Sequence, residues 1–262
     1  MTMRSPAALR LEQAYRTHPG TVRAVNEDAG VVRLQAGLWA IADGMGGHER
    51  GQWASRTIAD ALEHIALPVA IEGAADAVTE ALNAANATIW AATRKSGAPI
   101  GSTVAVLLIR DDRYVVLWAG DSRVYRHRAG TLTQLTTDHT EVERMIARGL
   151  LDRRDAADHP FRNVLARSVG TSETLLLDRI EGSLAGGDVF LLCSDGLSGM
   201  VDDREIRRAL VSASPDRVAQ LLLDRALERG AQDNVTVTII GCEQATQIGA
   251  LLSKSDGVGT AP

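Results

Sequence analysis

The order in which strand-like and helix-like segments follow one another limits the possible folds of this chain more than any other feature of its sequence. Short apolar runs rich in β-branched or aromatic residues and bounded by Gly, Asp or Ser are typical of strands; they cover residues 38–42, 103–109, 114–119, 189–193 and 235–240. Between the first two runs, apolar residues recur every three or four positions, which predicts two consecutive helices; these residues are Ile58, Ala61, Leu62 and Ile65, then Val78, Ala81, Leu82, Ala85 and Ile89. A later helix is predicted from the N-cap Ser214, followed by Pro215, to the stop signal Gly230.

Strands and helices therefore come in groups and do not alternate one by one. Strict alternation would be typical of a doubly wound parallel sheet, whereas grouping favours antiparallel sheets covered by pairs of helices. The sequence accordingly predicts an α+β fold.

The composition is that of a folded protein and argues against several classes of function. The 262 residues are 45% hydrophobic and 23% charged, so the chain can bury a core, in one large domain or two small ones. Its formal net charge of −5 gives no bulk attraction to nucleic acid or to anionic membranes. Four Trp, three Tyr and two Phe are too few for a base-stacking surface, so we expect no nucleic-acid partner.

Cysteine usage and the apolar stretches predict a cytoplasmic protein without a membrane anchor. Cys193 and Cys242 lie in apolar strand-like runs and are too few for a disulfide framework. Residues 1–10 lack the apolar region of a signal peptide. The longest uncharged apolar stretches, 65–71 and 102–109, are far shorter than the ~20 residues of a membrane helix.

Acidic residues stand at the ends of strand-like runs or in the tight turns beside them. They occur in the pairs Glu27-Asp28, Asp43-Gly44, Asp121-Ser122, Asp195-Gly196 and Asp233-Asn234. If the strands lie side by side, the carboxylates converge at one end of the sheet, where their repulsion requires neutralising cations. Oxygen ligands alone select hard ions such as Mg²⁺ or Mn²⁺. Any single Asp-Gly pair is also ordinary turn chemistry, and that interpretation stays open for each pair taken alone.

Two neighbours of these acids could add to such a site. Gly44 lies in a glycine-rich run, where the missing Cβ leaves backbone carbonyl oxygens free to approach an ion; a flexible hairpin turn is the competing interpretation. Arg23 stands four residues before Glu27, after the strand-like residues 21–22, where its guanidinium could bind a phosphate in a forked arrangement. A solvated surface arginine is the alternative.

Seven short motifs follow one another between about Tyr15 and Gly241. They are Arg23-Ala-Val-Asn-Glu27-Asp28, Ala42-Asp43-Gly44-Met45-Gly46-Gly47-His48, Gly101-Ser102-Thr103, Ala119-Gly120-Asp121-Ser122-Arg123, Thr137-Asp138-His139, Cys193-Ser194-Asp195-Gly196-Leu197 and Asp233-Asn234-Val235-Thr236. In this order they resemble the motifs of the metal-dependent protein phosphatases of type 2C, and the Gly-Met-Gly-Gly-His variant resembles the bacterial branch. Seven ordered motifs are far more specific than one Asp-Gly pair.

The resemblance implies a fold and a domain organisation. The family's fold is a β-sandwich of two antiparallel sheets flanked by pairs of antiparallel helices, which agrees with the order of elements described above. A lead-in of residues 1–14 would precede a single catalytic domain of residues 15–241, and residues 242–262 would form a flexible C-terminal tail. The polar segment 138–162 matches the mobile flap of bacterial members.

The resemblance also implies roles for the acidic residues. Asp43 would bridge two Mn²⁺ or Mg²⁺ ions, and Asp195 and Asp233 would complete one of the two sites. The carbonyl oxygen of Gly44 and, through water, Glu27 would serve the other ion.

Further positions take supporting roles in the same resemblance. Asp121 matches the position that, with Asp195, holds a third and weaker ion in bacterial members. Arg23 would bind the substrate phosphate, Asn234 would orient groups around the metal-bound waters, and Asp28 would stand behind the ligands. The implied activity is hydrolysis of phosphoserine and phosphothreonine in proteins by a metal-activated water, which would reverse the action of a bacterial Ser/Thr kinase. The enzyme is expected to be a monomer.

One position departs from the family pattern. Some members place a histidine directly after the first metal-binding Asp-Gly, where it can protonate the leaving oxygen, but this chain has Met45 there. His48 and His139 are the nearby candidates for a general acid, and for each a histidine held in a loop is the alternative.

Two rival functions stay open. A pseudophosphatase that only binds phosphoproteins would be expected to lack some of the metal carboxylates, whereas this sequence has the full set. A metal-dependent nuclease or phosphodiesterase also uses paired ions, but the acidic balance and the scarcity of aromatic residues argue against it.

Overall fold

Two β-sheets lie face to face, and each carries helices on its outer surface. The structure is a computed structural model that describes residues 9–47 and 49–244. The strands in this part of the chain are β1 (Leu9–His18), β2 (Asp28–Arg33), β3 (Leu38–Met45), β4 (Gly101–Ser102), β5 (Val104–Arg110), β6 (Arg113–Ala119), β7 (Arg123–Arg128), β8 (Thr131–Gln134), β9 (Asp178–Ser183), β10 (Val189–Cys193) and β11 (Val235–Gln244). The α-helices are α1 (Glu49–His64), α2 (Ile71–Ser96), α3 (Glu141–Ala147), α4 (Asp195–Ser198), α5 (Asp203–Leu210) and α6 (Pro215–Glu228).

The described strands pair in antiparallel fashion in both sheets. The first sheet has the order β1-β11-β10-β7-β8, and the second has the order β2-β3-β5-β6-β9, with the short β4 paired to the end of β3. This arrangement confirms the predicted β-sandwich of two antiparallel sheets and the α+β class.

Strand β3 shows how one strand serves two layers. Leu38, Ala40 and Ala42 belong to a buried cluster with α1 and α2, whereas Trp39 and Ile41 belong to the cluster between the sheets. Successive side chains of a strand point to opposite faces of its sheet, so an uninterrupted apolar run is typical of a strand covered on both sides. The two consecutive helices predicted from their periodicity are confirmed as α1 and α2.

The other outer layer consists of α5 and α6 on the first sheet. Helix α6 begins after Ser214 with Pro215 in its first turn, as predicted, and its Val218 and Leu222 share a buried cluster with Ile239 of β11. None of the helices in residues 9–47 and 49–244 combines the length and the apolar character that a bilayer crossing requires.

The first strand corrects the predicted boundary of the domain. Residues 9–14, which the prediction placed in the lead-in, form the first half of β1, and β1 pairs with β11 from Leu9 opposite Gln244 to His18 opposite Val235. No apolar run marks this edge strand because polar and charged residues interrupt it. The domain also extends beyond residue 241 to Gln244; the predictions for residues 1–8 and 245–262 lie outside the described residues.

The two cysteines are core residues, as their apolar surroundings predicted. Cys193 and Cys242 are both free and buried. Burial raises the pKa of each thiol to about 12, so neither is a thiolate nucleophile at neutral pH.

Candidate metal centre

The predicted acidic residues meet at one end of the sandwich. Asp43 lies in β3 directly opposite Asp28 of β2. Asp121 follows β6, Asp195 follows β10, and Asp233 precedes β11. A cavity of about 400 Å³ is lined by seven of the eight residues assigned to the site from the sequence, namely Arg23, Glu27, Asp43, Gly44, Asp121, Asp195 and Asp233.

Thr103 fixes the backbone that carries Asp43. The Asp43 N–H donates to Thr103 Oγ1 (3.1 Å), and the Thr103 N–H donates to the Asp43 carbonyl oxygen (2.9 Å). The Thr103 hydroxyl also lies 2.7 Å from the hydroxyl of Ser122, the residue after Asp121. Sequence reasoning gave Thr103 no role, and its place in the motif Gly101-Ser102-Thr103 was the available signal.

Two glycines allow helix α1 to lie against the loop beside the cavity. A Cβ on Gly44 would lie 2.1 Å from the Gly51 carbonyl oxygen, and a Cβ on Gly51 would lie 1.9 Å from Glu27 Oε2. Both distances are far shorter than van der Waals contact. The backbone of Gly44 and the carboxylate of Glu27 therefore stay close together only while positions 44 and 51 lack side chains.

Burial and mutual repulsion raise the pKa values of the central carboxyl groups, although each residue keeps some exposure to the cavity. The pKa of Asp43 lies well above its ordinary value because the carboxyl group is buried and faces Asp28 and Asp195. Burial and Asp233 raise the pKa of Asp195, while a hydrogen bond with Asp43 lowers it. Burial and Asp195 raise the pKa of Asp121 to about 7. The site thus concentrates more negative charge than the surrounding chain neutralises.

Asp28 links the two sheets behind Asp43. Its Oδ2 accepts hydrogen bonds from Ser194 Oγ (2.8 Å) and Thr236 Oγ1 (2.6 Å) of the first sheet's strand ends. Burial raises the pKa of Asp28 to about 7 in spite of these bonds. In the part of the chain that the structure describes, Asp28 Oδ1 is buried and has no hydrogen-bond partner. A buried oxygen of this kind calls for a compensating positive or donor group.

These groups have the chemistry of a site for hard divalent cations. Carboxylate and carbonyl oxygens are the ligands that Mg²⁺ and Mn²⁺ prefer, and buried acids with raised pKa values lack the positive charge that such ions supply. Among the described residues, no three Asp, Glu, His or Cys side chains are gathered closely enough to hold an ion by themselves. An ion bound here would therefore also need oxygen ligands other than these side chains, such as backbone carbonyl groups or water molecules.

Arg23 lies at the cavity in a loop. Residues 21–22, expected to be strand-like, instead form a turn, in which the N–H and hydroxyl of Thr21 both donate to the Ala231 carbonyl oxygen. The Arg23 Nη2 donates to Asp233 Oδ2 at 2.9 Å, and both side chains are nearly half exposed. Part of the guanidinium group is therefore accessible to an anion that enters the cavity.

The structure gives the Asn234 side chain backbone partners on a distant loop. The side chain is buried and is not among the residues that line the smaller cavity. Its Nδ2 donates to the carbonyl oxygens of Pro19 and Val25 (3.0 Å each), and its Oδ1 accepts from the Glu27 N–H (2.7 Å). Asn234 therefore ties the loop that carries Arg23 and Glu27 to the start of β11.

Removing this tie is expected to destabilise the whole protein. Asn234→Ala takes three hydrogen bonds from a buried location, and we expect the free energy of unfolding to fall by about 2–4 kcal/mol. Urea denaturation measures the change. Asn83→Ala, at an exposed position of α2, is the matched control and should change the value by less than ~0.5 kcal/mol. Equal stability of the two variants would contradict the prediction.

His139, one of the two predicted general acids, does not face the cavity. Its Nδ1 accepts a hydrogen bond from the Gly120 N–H (3.1 Å), and its Nε2 lies 3.2 Å from Asp178 Oδ2. The ring stacks on Trp118, and only 9% of the side chain is exposed. Because Nδ1 accepts from the Gly120 N–H and Nε2 is buried beside Asp178, away from the cavity, His139 is not placed to protonate a substrate. His48, the other candidate, lies outside the described residues.

A second cavity of about 1,110 Å³ adjoins the first. It lies between the segment 138–162, which we call the flap segment, and the loop 229–233, and the flap segment carries helix α3. The two cavities share Arg23, Asp121, Asn163, Asp195 and Asp233. A ligand larger than a phosphate group can therefore extend from the carboxylates along the flap segment.

The sequence also matches proteins of known family. Residues 21–234 match the family model described as Protein phosphatase 2C. The serine/threonine protein phosphatase PstP of Mycobacterium tuberculosis is 36% identical over 233 residues, which cover 88% of this chain and 45% of that protein. The serine/threonine phosphatase stp of Listeria welshimeri is 31% identical over 236 residues, which cover 86% of this chain and 94% of that protein.

A solved structure agrees with these sequence matches. The catalytic domain of PstP in complex with two manganese ions aligns with a TM-score of 0.78 and 33% identity, and the alignment covers 90% of this chain and 99% of that domain. This chain belongs to the protein phosphatase 2C family. It spans about half the length, 45%, of the mycobacterial relative.

Proposed function

We propose that this chain is a metal-dependent phosphatase that hydrolyses phosphoserine and phosphothreonine in proteins. The observation that carries the proposal is the convergence of Asp43, Asp121, Asp195 and Asp233 on one cavity that Arg23 also lines. Membership of the protein phosphatase 2C family and the names of its relatives support the same activity.

The proposed ligand set uses the residues around the smaller cavity. Asp43 would be shared by two Mn²⁺ or Mg²⁺ ions, Asp195 and Asp233 would complete one site, and the Gly44 carbonyl oxygen with Glu27, through water, would complete the other. The two manganese ions of the related PstP domain support this number. Divalent ions bound there would lower the pKa of a coordinated water towards neutrality and offset the negative charge of a phosphate monoester.

A third, weaker ion is also proposed. It would lie between Asp121 and Asp195, whose carboxyl groups are close enough for Asp195 to raise the pKa of Asp121. Asp121 lines both cavities, which supports a location for such an ion on the side of the flap segment.

The groups of the chain itself hold the substrate in position. Arg23 can present two N–H groups to two phosphate oxygens, and its ion pair with Asp233 supports a phosphate site next to the carboxylates. The loop that carries Arg23 is fixed in turn by Asn234. Because hydrolysis of phosphate monoesters depends mainly on positioning and charge neutralisation, this rigidity is part of the catalytic apparatus.

Loss of the Arg23 guanidinium is expected to weaken phosphate binding. Arg23→Gln should lower kcat/KM for a phosphothreonine peptide by roughly 10–100-fold, because a charge-assisted pair of hydrogen bonds is lost. Steady-state kinetics measure the effect, and Arg23→Lys should recover only part of it. Arg154→Gln, at an exposed position of the flap segment, is the control and should leave kcat/KM unchanged. An Arg23→Gln variant with wild-type kcat/KM would remove Arg23 from the phosphate site.

The activity is tested directly with a phosphothreonine peptide as Mn²⁺ is titrated from zero. We expect inorganic phosphate to be released in a Mn²⁺-dependent manner and none to be released in EDTA. Binding of the peptide without release at any Mn²⁺ concentration would instead support the pseudophosphatase alternative. Equal rates on p-nitrophenyl phosphate and on its diester, bis(p-nitrophenyl) phosphate, would support a phosphodiesterase.

The proposed partners and location follow from this activity. The substrates would be phosphorylated proteins modified by a bacterial Ser/Thr kinase, and the chain would act as a monomer in the cytoplasm. The two free, buried cysteines fit a reducing compartment. Comparing the phosphoproteomes of cells with and without the gene would identify the substrates.

A further inference from the structure

Asp178, the first residue of β9, is contacted from both sides of the flap segment. Arg167 follows that segment and donates from Nη1 to Asp178 Oδ1, while His139, near its beginning, places Nε2 3.2 Å from Asp178 Oδ2. The two sides also meet through their backbones, because the Ala166 N–H donates to the His139 carbonyl oxygen at 2.8 Å. One carboxylate therefore fixes the base of the flap segment.

His139 in turn holds the residue before Asp121. The Gly120 N–H donates to His139 Nδ1 (3.1 Å), and the His139 N–H donates to the Gly120 carbonyl oxygen (2.9 Å). Because Nδ1 accepts a hydrogen bond, the proton of the neutral ring is on Nε2, the atom that lies beside Asp178. Asp178, His139 and Gly120 thus form a continuous series of contacts that ends next to Asp121.

The surroundings leave His139 and Gly120 little room to move independently. The imidazole ring stacks on Trp118 with the ring centroids 5.9 Å apart, and Trp118 pairs with Asp178 in the β6–β9 register. Gly120 has a φ of 115°, and a Cβ at this position would lie 2.5 Å from Thr103 Cβ. We therefore expect a displacement of the imidazole ring to shift the Gly120 backbone, because closely packed groups leave little free space to absorb it.

We propose that Asp178 and His139 are positioning residues that couple the base of the flap segment to Asp121 and so to the metal centre. The inference rests on the proposed function, because the position of Asp121 affects catalysis only if Asp121 serves a metal ion. Neither residue lines either of the two cavities at the site. They act through the backbone of Gly120. Because Gly120 is bonded directly to Asp121, the position of its backbone limits where the Asp121 carboxylate can lie.

The coupling is tested first on the full chain in EDTA by hydrogen–deuterium exchange. Asp178→Ala removes the group that both Arg167 and His139 contact, and we expect amides in residues 119–123 as well as 138–167 to exchange at least ~10-fold faster. Glu181→Gln is the matched control, because it changes another carboxylate of β9 that pairs with exposed arginines. Faster exchange that is confined to residues 138–167 would overturn the proposal.

Variants of His139 separate the coupling from simple packing. His139→Asn keeps an acceptor close to the position of Nδ1, whereas His139→Ala removes the acceptor altogether. Exchange in residues 119–123 should be at least ~3-fold slower in the Asn variant than in the Ala variant. Equal exchange rates would overturn the proposal. If Asp178→Ala does not fold, Asp178→Asn, which keeps the shape and one acceptor, is used instead. Faster exchange in both 119–123 and 138–167 would again support the proposal, and faster exchange in 138–167 alone would overturn it.

The functional consequence is tested with Mn²⁺ and p-nitrophenyl phosphate. In Asp178→Ala, the Mn²⁺ concentration for half-maximal activity should rise at least ~5-fold while KM changes less than ~2-fold, because Asp121 is displaced and Arg23 is not. An unchanged Mn²⁺ dependence would overturn the coupling. If the wild-type chain releases no phosphate, the proposed function fails, and the exchange experiments in EDTA still decide whether the flap segment and the Asp121 turn are coupled.

Discussion

Asp43→Asn is expected to lower kcat for phosphopeptide hydrolysis by at least ~10³-fold while making the ion-free protein more stable. Asp43 faces the negative charges of Asp28, Asp195 and Asp121, and we propose that both ions share it. Losing the shared carboxylate removes the ligand on which the whole centre depends. Burial and repulsion by these neighbours raise the pKa of Asp43, so at neutral pH the folded state must either hold a proton there or carry a repelled charge. The asparagine side chain has neither cost, and the free energy of unfolding in EDTA should rise by ~1 kcal/mol or more.

These two opposite effects distinguish loss of function from misfolding. Kinetics with a phosphothreonine peptide and urea denaturation in EDTA measure them on the same preparation. Asp76→Asn, at an exposed position of α2, is the matched control and should change neither quantity. A variant at position 43 that keeps a tenth of wild-type kcat would contradict the shared role of Asp43. An inactive variant that is also less stable than wild type would contradict the charge-repulsion argument.

The position of the carboxylates could be predicted because it depends on local sequence and on simple sheet geometry. Asp195 and Asp233 each adjoin an apolar run that is readable as a strand, and antiparallel pairing brings the relevant strand ends to one edge. The prediction for Asp43 needs one correction, because this residue lies inside β3 and not after it. Strand β3 continues to Met45 because the two-residue strand β4 pairs with the end of β3. That pairing partner carries no apolar run of its own, so the sequence did not reveal it.

The roles of Asn234 and His139 could not be predicted because they depend on partners that are distant in the chain. The local sequence around an asparagine that follows a cavity aspartate does not show whether its amide faces an ion or a distant backbone. The amide of Asn234 contacts a loop more than two hundred residues away in the chain. The role of His139 likewise depends on its contacts with Gly120 and Asp178, which only the folded sheet brings close to it. Strand β1 escaped prediction for a related reason: as an edge strand interrupted by charged residues, it shows no continuous apolar run.

The ion-free protein is expected to lose stability as the pH rises from 5 to 8. The pKa values of Asp28 and Asp121 are both about 7 in the folded state, against 3.8 for an ordinary aspartate. The folded state thus holds protons that the unfolded state has already released. The stability contributed by these protons is fully present below about pH 4 and is lost as the pH rises through 7. Each such group would lower the free energy of unfolding by roughly 2 kcal/mol between pH 5 and 7.

Thermal unfolding in EDTA at a series of pH values measures this loss. A double variant, Asp28→Asn with Asp121→Asn, removes the two groups while histidines and other carboxylates continue to titrate. Its melting temperature should fall less between pH 5 and 8 than that of the wild type. Parallel pH curves for the two proteins would show that these carboxyl groups do not hold protons in the folded state.

Mn²⁺ is expected to reverse the loss at pH 8 and to have little effect at pH 5. Protons and metal ions compete for the same carboxylate oxygens, so ions bind tightly only where the folded state has released its protons. An ion present at a concentration 100 times its dissociation constant raises the free energy of unfolding by about 2.7 kcal/mol. This gain is similar to the loss of stability that one of these carboxyl groups causes as the pH rises. Asp43→Asn should abolish most of this gain. Equal stabilisation by Mn²⁺ at both pH values, or in that variant, would mean that the ions bind elsewhere on the protein.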